Sequence, residues 1–201
     1  MQVEVGPIGP VLAELREALD SWLGEPSWTQ GPGSVKLLYR FETTALPAQS
    51  MRVKIEINTR EHFSVYGLER VSFAVPSSWH TATVDVTSYT LEELLATKMR
   101  ALYQRSKGRD LYDLWLALTT LEPDEARVVE CFAEYLARSG NRVSRAEYEA
   151  NVSAKLDSPD FRADVIPLLR DPDGYAVDSA ARVVGENLVA RLPGKPWKGH
   201  G

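Results

Sequence analysis

The hydrophobic pattern changes period at Thr90, and that change constrains the fold more than any single motif. Before it, apolar residues recur at strand spacing. Val53, Ile55 and Ile57 alternate with Arg52, Lys54, Glu56 and Asn58 in the stretch RVKIEINTRE. VKLLYRFET (35–43), Val71 to Val75 and TATVDVTS (81–88) also read as strands. From Thr90 on, the spacing is helical: Leu91, Leu94, Leu95, Met99 and Leu102 make one stripe. Thr90-Leu91-Glu92-Glu93 is a capping-box pattern that starts this helix, which is expected to reach Arg105. Ser106-Lys107-Gly108 interrupts it, and a second helix is expected from Arg109 to Thr120. Further helices are expected over 124–138, 144–156, 159–169 and 175–192, with Asp171-Pro172-Asp173-Gly174 as a turn.

Ahead of the strands, PVLAELREALDSWL (10–23) puts Val11, Leu12, Leu15, Leu19, Trp22 and Leu23 on one helical face. Pro10 suits a first turn, Gly24 and Pro26 end the helix, and 26–34 reads as loop. Trp22 and Trp115 are expected in the core. The fold class that follows is α+β. Residues 1–88 form a helix plus a small, antiparallel-leaning sheet, and 89–201 form a helical part.

Charge and rare residues exclude several function classes. The net charge of −5 is not that of a strongly basic nucleic-acid binder, so any basic patch must be made by position. Cys131 is the only cysteine, and His62, His80 and His200 are scattered, which argues against disulfides and zinc. No P-loop or dinucleotide fingerprint occurs. No stretch has the length of a membrane span and no signal peptide is visible, so the expected location is cytoplasmic.

The residues with chemical potential fall in two places. One is the polar face of the 52–61 strand, with Lys54 and Glu56. The other is the corner between the two helices after Thr90. Lys98 and Arg105 are seven residues apart and share a helical face, and Arg109, Asp110 and Asp113 open the next helix. Two readings stay open on the residues alone. The corner is a solvated ion-pair set, or it is an anion site in which Lys and Arg hold phosphate while Asp110 or Asp113 orients a cation or handles a proton.

The stretch K-x-x-A-L-x-x-R-x-K-G-R-D-x-Y-D-L, from Lys98 to Leu114, resembles the C-terminal signature of the AbiEii/AbiGii family of nucleotidyltransferase-like toxins. RVKIEINTRE resembles the strand that precedes it in that family, and VGPIGPVLAELREALDSWLGEP resembles the helix that follows the family's first catalytic strand. The resemblance covers most of the chain. It implies a nucleotidyltransferase-like fold of the polymerase-β superfamily, with a small mixed sheet and helices followed by a helical part. The implied activity is transfer of a nucleotidyl group from a nucleoside triphosphate to an RNA acceptor, tRNA-like in some members, in an abortive-infection or toxin–antitoxin setting with a cognate antitoxin. It also implies Mg²⁺ as cofactor, with Glu56 in the place of the third metal-binding carboxylate. Glu56, Lys98 and Asp110 take the catalytic positions, and Lys54, Arg105, Arg109 and Asp113 the nucleotide-binding ones.

The Gly-Ser turn and D-x-D strand of that superfamily are not found in the sequence. Gly33-Ser34 is followed only by Glu42-Thr43-Thr44, and Gln2-Val3-Glu4-Val5 resembles the segment just downstream of the D-x-D strand. The expectation is therefore weak or absent transfer by this form of the chain, and an open sheet edge through which a homodimer or another partner could assemble. The alternative is a catalytically dead nucleotide- or RNA-binding module, or a structural partner.

Overall fold

The helix Gly9–Leu23 and the three strands that follow it build one small layer pair. The structure is a computed structural model and describes residues 7–59, 63–78 and 81–199. Helix α1 (Gly9–Leu23) is followed by strands β1 (Ser27–Gly31), β2 (Ser34–Glu42) and β3 (Ser50–Asn58), which pair antiparallel in the order β1-β2-β3. Residues directly opposite on paired strands share a face. Val35, Leu37 and Tyr39 of β2 therefore share the apolar face with Ile57, Ile55 and Val53 of β3. Leu23, Leu37 and Tyr39 form the buried core of this unit, with Leu12, Leu15, Leu19, Phe41 and Ile55 against it. The Tyr39 hydroxyl donates to Asp20 Oδ1 at 2.9 Å and ties the sheet to α1. β3 pairs only with β2 among the described residues, so its other edge is open.

Two expectations are corrected here. The span read as loop contains β1, a strand exposed along its whole length and turned back into β2 through Pro32 and Gly33, whose φ is +83°. Its sequence, Ser-Trp-Thr-Gln-Gly, holds one large apolar residue, so no alternation betrays it. Trp22 is not core: it is 68% exposed, and Val11 on the same shoulder of α1 is exposed too. Three strands cover only the narrow stripe of Leu12, Leu15, Leu19 and Leu23.

A second compact unit begins at Ser64, earlier than the change of period, because the remaining two strands are tied to the helices. β4 (Leu68–Pro76) and β5 (Thr81–Tyr89) form a separate antiparallel hairpin, so the strands make two sheets rather than one. Helices α2 (Leu91–Gln104), α3 (Gly108–Thr120), α4 (Glu125–Arg138), α5 (Arg145–Leu156), α6 (Pro159–Ala163) and α7 (Val177–Asn187) follow. The fold class is α+β, as the sequence implies. The span 159–169 is not one helix: α6 ends at Ala163 and a short 3-10 turn at Ile166–Leu168 contains Pro167, which has no N–H to continue a helix. The span 175–192 likewise divides into α7 and a 3-10 turn at Val189–Arg191.

Helix α2 is the spine of this unit. Leu95, Ala96, Met99 and Leu102 are buried, with Leu111 and Leu114 of α3 and Val128, Phe132, Tyr135 and Leu136 of α4. Each fully buried large apolar side chain contributes on the order of 1.5–3 kcal/mol. Thr90 caps α2 by accepting from the Glu93 N–H, while the Glu93 side chain turns inward instead of back to the cap. That carboxylate is completely buried. It accepts from the Ser64 hydroxyl (2.7 Å), the Val65 and Tyr66 N–H groups (2.8 and 2.9 Å) and the Tyr135 hydroxyl (2.7 Å). Burial opposes its ionisation, but these four donors outweigh burial and hold its pKa below the ordinary value. Glu93 thus pins the start of the unit to its helical core. Among the described residues no helix is long and apolar enough to cross a membrane. Gln2 to Val5, the Arg60-Glu61 end of the RVKIEINTRE stretch, His62, His80 and His200 lie outside the described residues.

Candidate functional site

The α2–α3 corner is built by a short interruption between two helices, from Arg105 to Lys107. Arg105 leaves the helix in an extended conformation (φ −131°, ψ 157°) and Lys107 precedes the first residue of α3, Gly108. The glycine is there for close approach: a Cβ built on it would lie 2.1 Å from the Phe161 carbonyl oxygen. Lys155 of α5 donates to the Leu102 and Tyr103 carbonyl oxygens, the latter at 2.8 Å. It thereby caps the C-terminal turn of α2, which has no basic residue of its own. Burial lowers the Lys155 pKa to about 8, with Asp110 acting in the opposite direction.

On this corner Asp110 is fully buried and Arg105 closes over it as a planar fork. Arg105 Nε donates to Oδ2 and Nη2 to Oδ1, both at 2.7 Å. The fork raises the Arg105 pKa further above its ordinary value, mainly through this hydrogen bond. Lys98 Nζ lies 3.7 Å from Asp110 Oδ1 and 2.5 Å from Asp113 Oδ2. Lys98 and Asp113 are each a little over one-third exposed, so both reach solvent. Arg109 stands apart from this quartet. Its backbone N–H donates to Asp164 Oδ2 at 3.3 Å, its Nε is 3.9 Å from the same oxygen, and Lys107 Nζ is 3.4 Å from Asp164 Oδ1. Burial would raise the Asp164 pKa, but the Arg109 N–H and Lys107 overcome it and hold the carboxyl below its usual range.

The structure therefore brings Lys98, Arg105, Asp110 and Asp113 together, with Arg109 beside them. Asp110 and Arg105 are a clamp that fixes the corner, and Lys98 and Asp113 are the pair left able to move. Beyond them opens a cleft of about 470 Å³ lined by Arg109, Tyr112, Asp113, Arg170, Asp171 and the apolar Val165, Leu168 and Leu169. That volume is within the usual range for a small-molecule site. Sequence reasoning assigns no role to Asp164, Arg170 or Tyr112. Asp164 and Arg170 lie more than fifty residues after Arg109, with no spacing rule to connect them. Tyr112 is a fixed position of the Lys98–Leu114 motif, but the motif by itself gives it no chemistry.

Lys54 and Glu56 sit in the first unit, on the face of the three-stranded sheet opposite α1. Glu56 stands between Lys54 (Nζ to Oε2, 3.0 Å) and Lys36 (Nζ to Oε1, 3.2 Å). Hydrogen bonds from Lys54 and then Lys36 hold its pKa below the ordinary carboxylate value. These surroundings do not fit a metal ligand: each Glu56 oxygen faces an ammonium, and each Asp110 oxygen accepts from Arg105. Among the described residues no three His, Cys, Asp or Glu side chains converge in a way that could hold an ion. No chemical step is therefore assigned to magnesium. Cys131 is also no nucleophile, since it is buried and burial pushes its thiol up to about 12.

A family profile described as nucleotidyl transferase AbiEii toxin, type IV toxin–antitoxin system, matches residues 3–183. The chain belongs to this family. The match spans α1, both sheets and the charged corner, so the resemblance carried by 52–61 and 98–114 extends over most of the chain. The family's toxin–antitoxin setting implies a cognate antitoxin as partner. Comparison with curated proteins and with solved structures returned no match.

Proposed function

We propose that the chain serves nucleotidyl transfer from a nucleoside triphosphate to the end of an RNA, a tRNA-like acceptor, with the cleft beside the α2–α3 corner as the nucleotide subsite. The observation that carries this reading is the division of labour at that corner. Asp110 is buried and held by the Arg105 fork, while Asp113, paired with the solvent-reaching Lys98, lines a cleft that also presents Arg109 and Arg170. Arg109 and Arg170 bind phosphate oxygens as planar forks, and Tyr112 offers a ring for the base. Lys98 moves from Asp113 to the triphosphate, which frees the Asp113 carboxylate to take the proton of the attacking hydroxyl. The acceptor oxygen then bonds to the α-phosphorus as the bond to pyrophosphate breaks. Asp110 is a positioning residue, because its oxygens are covered by Arg105. Glu56 in this reading holds Lys36 and Lys54 over their sheet face.

The test is transfer of label from an α-labelled nucleoside triphosphate to tRNA in magnesium buffer, with Lys98→Ala and Asp113→Asn beside the unaltered chain. The expected result is labelled RNA that both substitutions reduce at least tenfold. Label transfer unaffected by either substitution would remove the corner from the reaction.

A second reading is a nucleotide- or RNA-binding module without transfer. The pairing of Glu56, the candidate metal carboxylate, with Lys36 and Lys54, and of Asp110 with Arg105, favours it. Under that reading no label moves, yet the triphosphate raises the melting temperature through binding, and Lys98→Ala abolishes the rise.

A further inference from the structure

The face of the first sheet turned away from α1 has a charge pattern that sheet stability alone does not explain. Pairing register places Lys36 opposite Glu56, Leu38 opposite Lys54, Arg40 opposite Arg52 and Glu42 opposite Ser50. Ser27 and Thr29 of β1 continue the same face. Lys36, Arg40, Arg52 and Lys54 thus stand against Glu42 and Glu56, a surplus of two positive charges on one face of a chain whose net charge is −5. All four cations are exposed.

The two halves of the face differ. Glu56 neutralises its own neighbours, at 3.0 Å from Lys54 and 3.2 Å from Lys36. Arg40 and Arg52 face each other directly and neither has a carboxylate partner among the described residues; Arg40 reaches only the Ser27 hydroxyl, at 3.3 Å. Like charges directly opposite on antiparallel strands destabilise the pairing. Strand neighbours two positions apart lie about 6.7 Å apart, so Arg52 and Lys54 form a row of cations along β3. Arg40 and Lys36 form a second row on β2. An anion with regularly repeated charge relieves the Arg40–Arg52 repulsion and satisfies both rows. No aromatic side chain among the described residues lies on this face, so it has nothing on which to stack bases.

We propose that this sheet face binds the phosphate backbone of the RNA acceptor, with Arg40 and Arg52 as its principal contacts and without reading base sequence. The proposal rests on the RNA-acceptor reading of the function and assigns a docking surface to it. Binding through backbone phosphates is strongly salt-dependent. Each phosphate contact contributes about −0.7 to −0.9 to the slope of log affinity against log salt.

The deciding variant is Arg52→Glu, which converts the like-charge pair into a cross-strand ion pair with Arg40. A residue needed only for folding would, on substitution, leave the chain less stable. The proposal expects the opposite combination: an unchanged or raised melting temperature, together with at least tenfold weaker binding of fluorescent tRNA at moderate salt. The salt slope should also become shallower by about 1 or more. Arg40→Ser with Arg52→Ser provides a second variant that introduces no negative charge and should shift the slope in the same direction. Salt-dependent RNA binding that these substitutions weaken, with no label transfer by the unaltered chain, would uphold this surface and refute the transfer reading alone. RNA binding with an unchanged slope in both variants, or no RNA binding by the unaltered chain, would overturn the proposal and leave the face to an acidic protein partner.

Discussion

Glu93→Gln tests the physical account of how the second unit is held together. The glutamate accepts two donors on each oxygen: the Ser64 hydroxyl and Tyr66 N–H on Oε2, and the Val65 N–H and Tyr135 hydroxyl on Oε1. Glutamine keeps one acceptor oxygen and places an NH₂ where the other was. Either amide orientation aims this NH₂ at one hydroxyl and one backbone N–H. The hydroxyl can rotate and accept, but the Val65 or Tyr66 N–H cannot, so one buried donor is left without a partner. That omission costs about 1–3 kcal/mol, and the remaining bonds fall from charged to neutral strength. The total expected loss is about 3 kcal/mol. At roughly 2–4 °C per kcal/mol for a chain of this size, the melting temperature should drop by about 6–12 °C. Urea unfolding followed by circular dichroism measures the change directly, with the midpoint moving and the slope unchanged. The pH dependence supplies an independent check. Because the folded-state pKa is lower than the ordinary 4.5, the stabilisation is present above that value and is lost as pH falls through the folded pKa. The gap between Glu93→Gln and the unaltered chain should therefore narrow as the pH falls below about 4.5. A variant within about 0.5 kcal/mol of the original at neutral pH, or a gap that does not change in acid, would refute the clamp.

Other substitutions separate structure from function at the charged corner. Gly108→Ala puts a methyl group against the Phe161 carbonyl and should cost about 1–3 kcal/mol or more, seen as a lower urea midpoint. Asp110→Ala leaves the Arg105 fork without its acceptor. The cost should be about 2–3 kcal/mol, below that of a fully buried pair because Arg105 is half exposed. Asp113→Asn should change the urea midpoint by less than about 1 kcal/mol, since its partner Lys98 is solvent-accessible, while reducing label transfer. Equal stability losses for Asp110→Ala and Asp113→Asn would contradict the division between a buried clamp and a solvent-reaching pair.

Local sequence alone dictates where apolar residues repeat. Period-two alternation locates β2, β3, β4 and β5, the 3.6-residue stripe locates α2 to α5, and Thr90 marks the transition, because backbone geometry alone puts alternate strand residues, or every third and fourth helix residue, on one face; β4 and β5 keep the alternation although their apolar residues are largely exposed. Motif spacing also brings Lys98, Arg105, Asp110 and Asp113 to one corner, since residues within two turns of a helix and one short link cannot separate far. Tertiary structure decides what leaves no local pattern. β1 is exposed throughout, so only its register with β2 defines it. Asp110 and Asp113 are three residues apart and look alike in sequence. The Arg105 fork and the elements around α3 bury one, and the other remains at the cleft. Glu93 reads as half of a capping box, yet it turns inward because residues 64–66 present backbone donors that no sequence rule could bring to it. The Arg40–Arg52 opposition likewise exists only through strand register. Short-range periodicity follows from backbone geometry, whereas the charge environment of a side chain is set by partners that only the folded chain brings near.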